Sequence, residues 1–321
     1  MKACRTQRIM IKSTIIIEFL IYSILITSCN SVENSARPVQ LNEKGGYFFT
    51  ASDGSKIFIR EYRPEVKPAR TIFMISGITG INHKNEEDII NILSCNKNRI
   101  VVVHPRGTGY SEGERGDTDP NEIIEDYCEI IKGDSTYLAG NEKIFLFGHS
   151  MSCAFALEVA VKLPGTDGLI LVNPPYKLKP AKGMSPGITD YLKYVGYFVF
   201  ARHSPVVNMA GDPSVITDEA DRLESEQRNK DPLLVKYFSM HCMVESKRIM
   251  AAMVENAKKA DFPLLLLYGD NDNIVDRSGC DEIFLAWKSQ NKCFKLVKGG
   301  SHGKSTVIKS AEDISIWIER Q

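Results

Sequence analysis

Two patterns of apolar and polar positions alternate along most of the chain. Short, nearly continuous apolar runs predict buried strands, and apolar residues spaced three and four apart predict helices. The apolar runs are Gly46–Ala51, Lys56–Tyr62, Arg70–Ser76, Arg99–His104, Lys143–Phe147, Gly168–Val172, Pro263–Tyr268 and Cys293–Val297. The helical patterns are Asn85–Leu93, Pro120–Tyr137, Met151–Leu163, Arg277–Lys288 and a last segment ending near Arg320. Buried strands separated by helices predict an α/β fold, with a mostly parallel sheet covered by helices on both faces.

The alternation is interrupted once, after Pro174-Pro175. The block from Tyr176 to Ala260 has helical periodicity but no run typical of a strand. Because it lies between two strands of the sheet, we expect a helical cap over about residues 176–260, inserted at the carboxyl ends of the strands. Residues 46–321 then form one α/β domain that carries this cap.

The first 45 residues have a different character. Lys2, Arg5, Arg8 and Lys12 precede an apolar stretch from Ile15 to Ile26, which is shorter than the roughly 20 residues that a transmembrane helix needs. This pattern predicts a signal peptide over residues 1–28, followed by a polar tether over residues 29–45.

The apolar stretch ends in Ile26-Thr27-Ser28-Cys29. These four residues resemble the lipobox of bacterial lipoproteins, in which the cysteine is lipidated and becomes the first residue. The resemblance implies a lipid anchor on Cys29 and a location in the bacterial cell envelope, on the periplasmic or outer-membrane face. An ordinary cleaved signal, or a short anchor with an incidental cysteine, is the alternative.

Composition excludes several classes of protein. Of 321 residues, 43% are hydrophobic and 25% are charged, which is typical of a globular chain with a sizeable core. Lys plus Arg equals Asp plus Glu at 40 each, so no nucleic-acid partner is expected. The cysteines contain no Cys-x-x-Cys pair or zinc-finger spacing, and we expect neither a metal nor a cofactor. The composition leaves the oligomeric state open.

One motif lies where a strand is predicted to turn directly into a helix. Phe147-Gly148-His149-Ser150-Met151-Ser152 follows the pattern G-x-S-x-S, and a serine at such a turn projects its hydroxyl above the sheet on a strained backbone. Small flanking residues make this turn possible. Ser152 stands where a glycine is usual. Ser150 is therefore the candidate nucleophile.

A serine nucleophile needs a base oriented by a carboxylate, and two later loops offer both. Gly269-Asp270-Asn271-Asp272 follows one predicted strand, and Gly299-Gly300-Ser301-His302-Gly303 follows the next. Open α/β sheets bind ligands at these carboxyl ends of strands. The glycine-rich run ending at Ser305 has Lys298 where a phosphate loop needs its first glycine, which argues against nucleotide binding.

With Ser, Asp and His in this order, the chain resembles the α/β-hydrolase superfamily, particularly its monoacylglycerol lipase and serine aminopeptidase-like branch. The resemblance covers about Gly46 to the C-terminus and implies an α/β-hydrolase fold. Family loops of the form G-x-x-D-x-I/V-V match Gly269 through Val275, which implies that Asp272 is the triad acid, with Asp270 and Asp276 as rivals, and that His302 is the base.

Two further turns extend the resemblance. Ser76-Gly77-Ile78-Thr79-Gly80 corresponds to the family's H-G-x-G-like turn, with Ser in place of His, and it implies an oxyanion hole formed by the amides of Ile78 and Met151. His104-Pro105-Arg106-Gly107-Thr108-Gly109-Tyr110-Ser111 corresponds to D-x-x-G-x-G-x-S. His104 occupies the Asp position, which is structural in the family.

The resemblance implies hydrolysis of acyl esters through an acyl-enzyme intermediate, with a small acyl ester or lipid as substrate. The aromatic segment from Tyr191 to Phe200 either contacts an acyl chain or packs on the body of the domain. A serine aminopeptidase is the main alternative. It would need a cap carboxylate such as Glu224, Glu226 or Glu245 to hold a substrate amine. A non-catalytic binding module is the second alternative.

Overall fold

The computed structural model describes residues 46–134, 142–180, 188–210, 213–216 and 219–321. The predicted signal peptide (1–28), Cys29 and the tether (29–45) lie outside the described residues. Within those ranges, no helix is long and apolar enough to span a bilayer.

A central sheet forms the middle layer of the domain. Its strands are β1 (Gly46–Thr50), β2 (Lys56–Tyr62), β3 (Arg70–Met74), β4 (Arg99–Val103), β5 (Lys143–His149), β6 (Gly168–Val172), β9 (Leu264–Gly269) and β10 (Lys292–Val297). Their order is β1-β2-β4-β3-β5-β6-β9-β10. The pairs from β4 through β10 are parallel, and β2 pairs antiparallel with both β1 and β4. The predicted α/β fold with a mostly parallel sheet is confirmed.

Helices cover the sheet on both faces. They are α1 (Glu87–Ser94), α2 (Pro120–Gly133), α3 (Ser152–Lys162), α4 (Ile188–Phe200), α5 (Glu219–Lys230), α6 (Met240–Ala251), α7 (Met253–Ala257), α8 (Arg277–Ala286), α9 (Ser305–Lys309) and α10 (Ala311–Arg320). One apolar cluster packs helices α2, α3, α6, α7 and α8 against one face of the sheet. The other packs helices α1, α9 and α10 against the opposite face. Adjacent residues of one strand enter different clusters, as Ile72 and Phe73 do, so the strands are apolar throughout.

Most predicted elements end within two residues of the observed ones, and the structure differs from the prediction at three places. The helix predicted over Pro120–Tyr137 ends at Gly133, because Asp134 has an extended backbone; residues 135–141 lie outside the described residues. The last predicted helix divides at Ser310 into α9 and α10. A short 3₁₀ turn, His83–Glu86, precedes α1.

The segment between β6 and β9 contains helices α4 to α7 and a small antiparallel ribbon of β7 (Val207–Asn208) and β8 (Tyr237–Phe238). No strand was expected here, and two-residue strands are too short to produce an alternating pattern. Within this segment α6 and α7 pack into the apolar cluster of the sheet. Helix α4 instead presents exposed apolar side chains, among them Leu192 and Phe200.

Candidate active site

Ser150 lies at the sharp turn between β5 and α3. Its φ angle is +54°, in the left-handed region that non-glycine residues rarely adopt and that costs backbone strain. A Cβ atom on Gly148 would lie 2.7 Å from the carbonyl oxygen of Ser152 and 2.9 Å from the Cα of Cys153. The turn therefore requires glycine at position 148, which explains the first position of the G-x-S-x-S pattern.

The structure brings Ser150, His302 and Asp272 together from three loops at the carboxyl edge of the sheet. Ser150 Oγ lies 2.7 Å from His302 Nε2, and His302 Nδ1 lies 2.8 Å from Asp272 Oδ2. The hydrogen bonds form a continuous chain from the hydroxyl through the imidazole to the carboxylate. With Asp272 ionised, Nδ1 carries the proton and Nε2 is free to accept one from Ser150.

Asp272 is buried, with a fully covered side chain. Its Oδ1 accepts hydrogen bonds of 2.8 Å from the amides of Ile274 and Val275. Burial opposes ionisation of Asp272, but the hydrogen bond from His302 and these two amides outweigh it and hold the pKa of the carboxyl below its usual value. Asp272 is therefore a carboxylate at neutral pH.

The two rival aspartates are engaged elsewhere. Asp270 Oδ1 accepts a hydrogen bond of 2.6 Å from the amide of Gly299. Asp276 caps the N-terminus of α8, where its Oδ1 accepts a bond of 2.8 Å from the amide of Ser278. Of these three carboxylates, Asp272 is the one that hydrogen-bonds to His302.

Two side chains not identified from sequence hold the loop that carries His302. His149 Nε2 donates a hydrogen bond of 2.7 Å to the carbonyl oxygen of His302. Asn173 Nδ2 donates to the carbonyl oxygen of Ser301 at 3.0 Å, while Asn173 Oδ1 accepts from the amide of Gly269 at 2.9 Å. Asn173 is fully buried with φ of +51°. Its position directly after a buried strand was the available sequence signal.

The two predicted oxyanion amides lie on neighbouring segments. Met151 directly follows Ser150, and a Cβ on Gly77 would lie 3.5 Å from Met151 Sδ, so the loop containing Ile78 packs against the start of α3. Ser76 N donates to the Tyr127 hydroxyl at 2.7 Å. Within the described part of the chain, neither the Ile78 amide nor the Met151 amide donates to another protein group. Both are available to a bound oxygen.

Helix α5 of the cap region contacts the loop of His302. Asp221 Oδ1 accepts a hydrogen bond of 2.6 Å from the Ser301 hydroxyl, and Glu224 Oε2 accepts one of 3.3 Å from the amide of Lys304. Lys304 Nζ lies 3.5 Å from Glu86. Burial raises the pKa of the Glu86 carboxyl to about 7 although Lys304 opposes this.

Three further histidines have partners of their own. His104 is buried with its Nε2 3.1 Å from His83 Nδ1, which agrees with a structural position. His203 pairs with Asp117 at 3.0 Å, and His241 lies 3.6 Å from Asp119.

The six cysteines within the described residues are free thiols: Cys95, Cys128, Cys153, Cys242, Cys280 and Cys293. Across the same ranges no group of three or more His, Cys, Asp or Glu side chains is arranged to hold a metal ion.

The chain matches one protein family over most of its length. The family described as serine aminopeptidase, S33, matches residues 66–304. Monoglyceride lipase of Homo sapiens is 26% identical over 285 residues, covering 84% of this chain and 89% of the human protein. Monoglyceride lipase of Mus musculus is 26% identical over 261 residues, covering 78% and 81%.

Solved structures extend the likeness to the fold. A soluble variant of monoglyceride lipase from Saccharomyces cerevisiae, in complex with a substrate analog, has a TM-score of 0.70 at 19% identity and covers 89% of this chain and 99% of its own. Monoacylglycerol lipase of Paleococcus ferrophilus has a TM-score of 0.63 at 21% identity, covering 83% and 99%. The fold of this chain is the α/β-hydrolase fold.

Proposed function

The chain belongs to the S33 serine aminopeptidase family of α/β-hydrolases, and on that premise we propose that it is a serine hydrolase that cleaves carboxylic acyl esters. The single observation that carries the proposal is the hydrogen-bonded chain from Ser150 Oγ through His302 to Asp272, at 2.7 and 2.8 Å. Three side chains of the required types meet in the required order, with Ser150 on a strained turn. This arrangement converts a weakly nucleophilic hydroxyl into an attacking group.

In the proposed reaction, His302 Nε2 takes the proton of Ser150 as Oγ attacks the acyl carbonyl. Asp272 keeps the imidazole in the correct tautomer and stabilises its cation. The amides of Ile78 and Met151 donate to the oxyanion of the tetrahedral intermediate. His302 then protonates the departing alcohol. Water, deprotonated by the same imidazole, releases the acid and restores Ser150.

The proposed substrate is a lipid-like ester, with one long acyl chain on a small alcohol. Relatives that cover most of the chain are described as monoglyceride lipases. Helix α4 supports the same class, because Leu192, Val199 and Phe200 are each more than half exposed. Exposed apolar side chains in the segment between β6 and β9 favour contact with an acyl chain or an aggregated lipid rather than with water.

The three carboxylates that the aminopeptidase alternative would use already have protein partners. Glu224 accepts from the amide of Lys304, Glu226 pairs with Arg222, and buried Glu245 lies 3.0 Å from Arg248. None of these three candidate groups stands unpartnered to receive a substrate ammonium. The ester hydrolase is the better-supported function.

The test is hydrolysis by the purified full chain in detergent. We expect turnover of p-nitrophenyl esters and of a monoacylglycerol, with little turnover of aminoacyl amides. A fluorophosphonate probe should label wild type, and Ser150→Ala should abolish both labelling and turnover. Ser246→Ala removes a buried helix hydroxyl that donates to the carbonyl oxygen of Cys242 at 2.8 Å, and should leave both unchanged. Undiminished turnover by Ser150→Ala would falsify the proposal.

We infer further that lipidation of Cys29 anchors the enzyme to the bacterial cell envelope, with the polar segment to residue 45 as a tether. The support is the order of three segments at the N-terminus: a basic segment, an apolar stretch and the lipobox-like Ile26-Thr27-Ser28-Cys29. Expressed in a bacterial host fed radioactive palmitate, wild type should incorporate label and sediment with membranes. Cys29→Ala should do neither. Equal membrane association and label in both would contradict the anchor.

A further inference from the structure

Ser152 departs from the glycine that is usual at the end of the G-x-S-x-G turn, and its hydroxyl is engaged. We propose that Ser152 is a positioning residue that orients the oxyanion amide of Ile78. The inference rests on the proposed function, because it assigns the residue a role in the same ester hydrolysis. The carrying observation is a hydrogen bond of 3.2 Å from the amide of Gly77 to Ser152 Oγ.

This bond connects the loop of Ile78 to the start of α3, the two segments that carry the oxyanion amides. Ser152 is the first residue of α3, two positions after the nucleophile and one after Met151, which carries one oxyanion amide. Gly77 directly precedes Ile78, which carries the other. The hydroxyl of Ser152 therefore connects the segment of one donor to the segment of the other.

The peptide unit that carries the Ile78 amide is held from both sides. In a trans peptide the N–H of Ile78 points opposite to the carbonyl of Gly77. That carbonyl accepts a hydrogen bond of 3.2 Å from the amide of Gly80, and the amide of Gly77 donates to Ser152. Together the two bonds determine the direction in which the Ile78 N–H projects.

Glycine at position 77 makes the external tie necessary. A Cβ at this position would lie 3.3 Å from the ring of Phe155, tighter than ordinary contact, so packing favours glycine. Glycine itself restricts its torsions little. The preceding residue, Ser76, is held by Tyr127, but the torsions of Gly77 lie between that anchor and Ile78. The bond to Ser152 removes this freedom.

Oriented donors stabilise a transition state because they need no reorganisation when charge develops. Complete loss of one donor costs about 10²–10³ in rate, and a donor that remains but is less well oriented should cost less. We expect kcat to fall by about 5- to 10-fold without the hydroxyl, the effect of about one neutral hydrogen bond. KM should change less than about twofold, since substrate binding does not require the developed oxyanion.

The experiment compares Ser152→Ala, Ser152→Gly and Ser152→Thr with wild type, as full chains in detergent, on a p-nitrophenyl ester. Active-site titration with a fluorophosphonate gives kcat per active molecule. We expect Ser152→Ala and Ser152→Gly to lower kcat and the phosphonylation rate constant in parallel. Ser152→Thr supplies a hydroxyl and should keep both near their wild-type values. Ser246→Ala is the matched hydroxyl deletion and should change neither.

A merely structural role would lower the melting temperature or the active fraction and leave kcat per titrated site unchanged, and that result overturns the inference. Amide hydrogen exchange at Gly77 provides a second measurement: exchange should accelerate in Ser152→Ala, and unchanged protection would also overturn it. Failure of the proposed function would give a different result. In that case wild type shows no Ser150-dependent turnover, whereas failure of this inference alone leaves that turnover intact.

Discussion

His149 Nε2 donates a 2.7 Å hydrogen bond to the carbonyl oxygen of His302, so the residue beside the proposed nucleophile braces the backbone of the proposed base. Burial, together with the nearby His302 ring, lowers the pKa of His149 to about 3. The imidazole is therefore neutral at physiological pH, with its proton on Nε2. It acts as a fixed donor to the loop and not as a base.

The neutral state of His149, which is half-buried, predicts acid sensitivity. In the unfolded chain its pKa is near the ordinary value of about 6.5, so below that pH the unfolded state binds a proton that the folded state excludes. The free energy of unfolding should fall as pH is lowered from about 6.5 toward 3, by at most about 1.4 kcal/mol per pH unit from this group. Urea unfolding of wild type and His149→Gln at pH 7, 6 and 5 measures the slope.

Glutamine at position 149 can still donate to the His302 carbonyl but does not titrate, so the His149→Gln slope should be the shallower one. Asp272, whose pKa is lowered, contributes to the remaining slope at more acidic pH in both proteins. Identical slopes in the two proteins would contradict the assignment of His149.

Replacing the carboxylate that orients His302 should nearly eliminate turnover. Asp272→Asn presents an amide to His302 Nδ1 and favours the wrong tautomer, and we expect kcat to fall by about 10⁴. The matched control is Asp270→Asn, which keeps an oxygen to accept from the amide of Gly299 and should remain within about twofold of wild type. A larger loss in the control than in Asp272→Asn would reverse the two roles.

Asn173 joins the loops of the proposed acid and base through one buried side chain. Asn173→Ala leaves the amide of Gly269 without its acceptor and the carbonyl of Ser301 without this donor. The buried amide of Gly269, left unpaired, costs about 1–3 kcal/mol. The carbonyl of Ser301 keeps a hydrogen bond of 2.6 Å from the Thr306 hydroxyl, but the loop of His302 loses a brace. We expect both a lower free energy of unfolding and a kcat reduced by about tenfold. Chemical denaturation and ester turnover measure the two effects.

Asn98 provides the comparison for Asn173. It is equally buried and its Nδ2 donates to the Leu93 carbonyl at 2.9 Å, in the turn after α1. Asn98→Ala should also reduce stability while kcat of the folded fraction stays at the wild-type value. If both variants reduced kcat alike, the effect on Asn173→Ala would reflect general destabilisation.

Contact between α5 and the loop of His302 predicts that the segment between β6 and β9 influences turnover. Asp221→Ala removes one of two partners of the Ser301 hydroxyl, the other being the Ser305 hydroxyl at 2.6 Å. We expect kcat to fall about 3- to 10-fold, the effect of about one net hydrogen bond. Glu219→Ala, on the same helix, removes an exposed pair with Arg222 and should change kcat little. Equal kinetics of wild type and Asp221→Ala would show that this contact does not position the loop.

The sequence by itself determined the parts that depend on local pattern. Continuous apolar runs predicted the strands of the parallel sheet, since a strand buried on both faces has no polar alternation. The small residue at Gly148 indicated the turn at Ser150, because the close approach of α3 there excludes a side chain. His302 and a nearby aspartate could be placed at one edge, since parallel strands end together.

Only the tertiary structure decided how side chains from distant segments pair. Asp270, Asp272 and Asp276 lie within seven residues, and the backbone path of their loop selects Asp272 to face His302. The hydrogen bonds of His149 and Ser152 join segments that are 153 and 75 residues apart, and no local pattern encodes such partners. Polar pairing depends on direction and on distances of about 3 Å, which packing of the whole sheet and its helices sets.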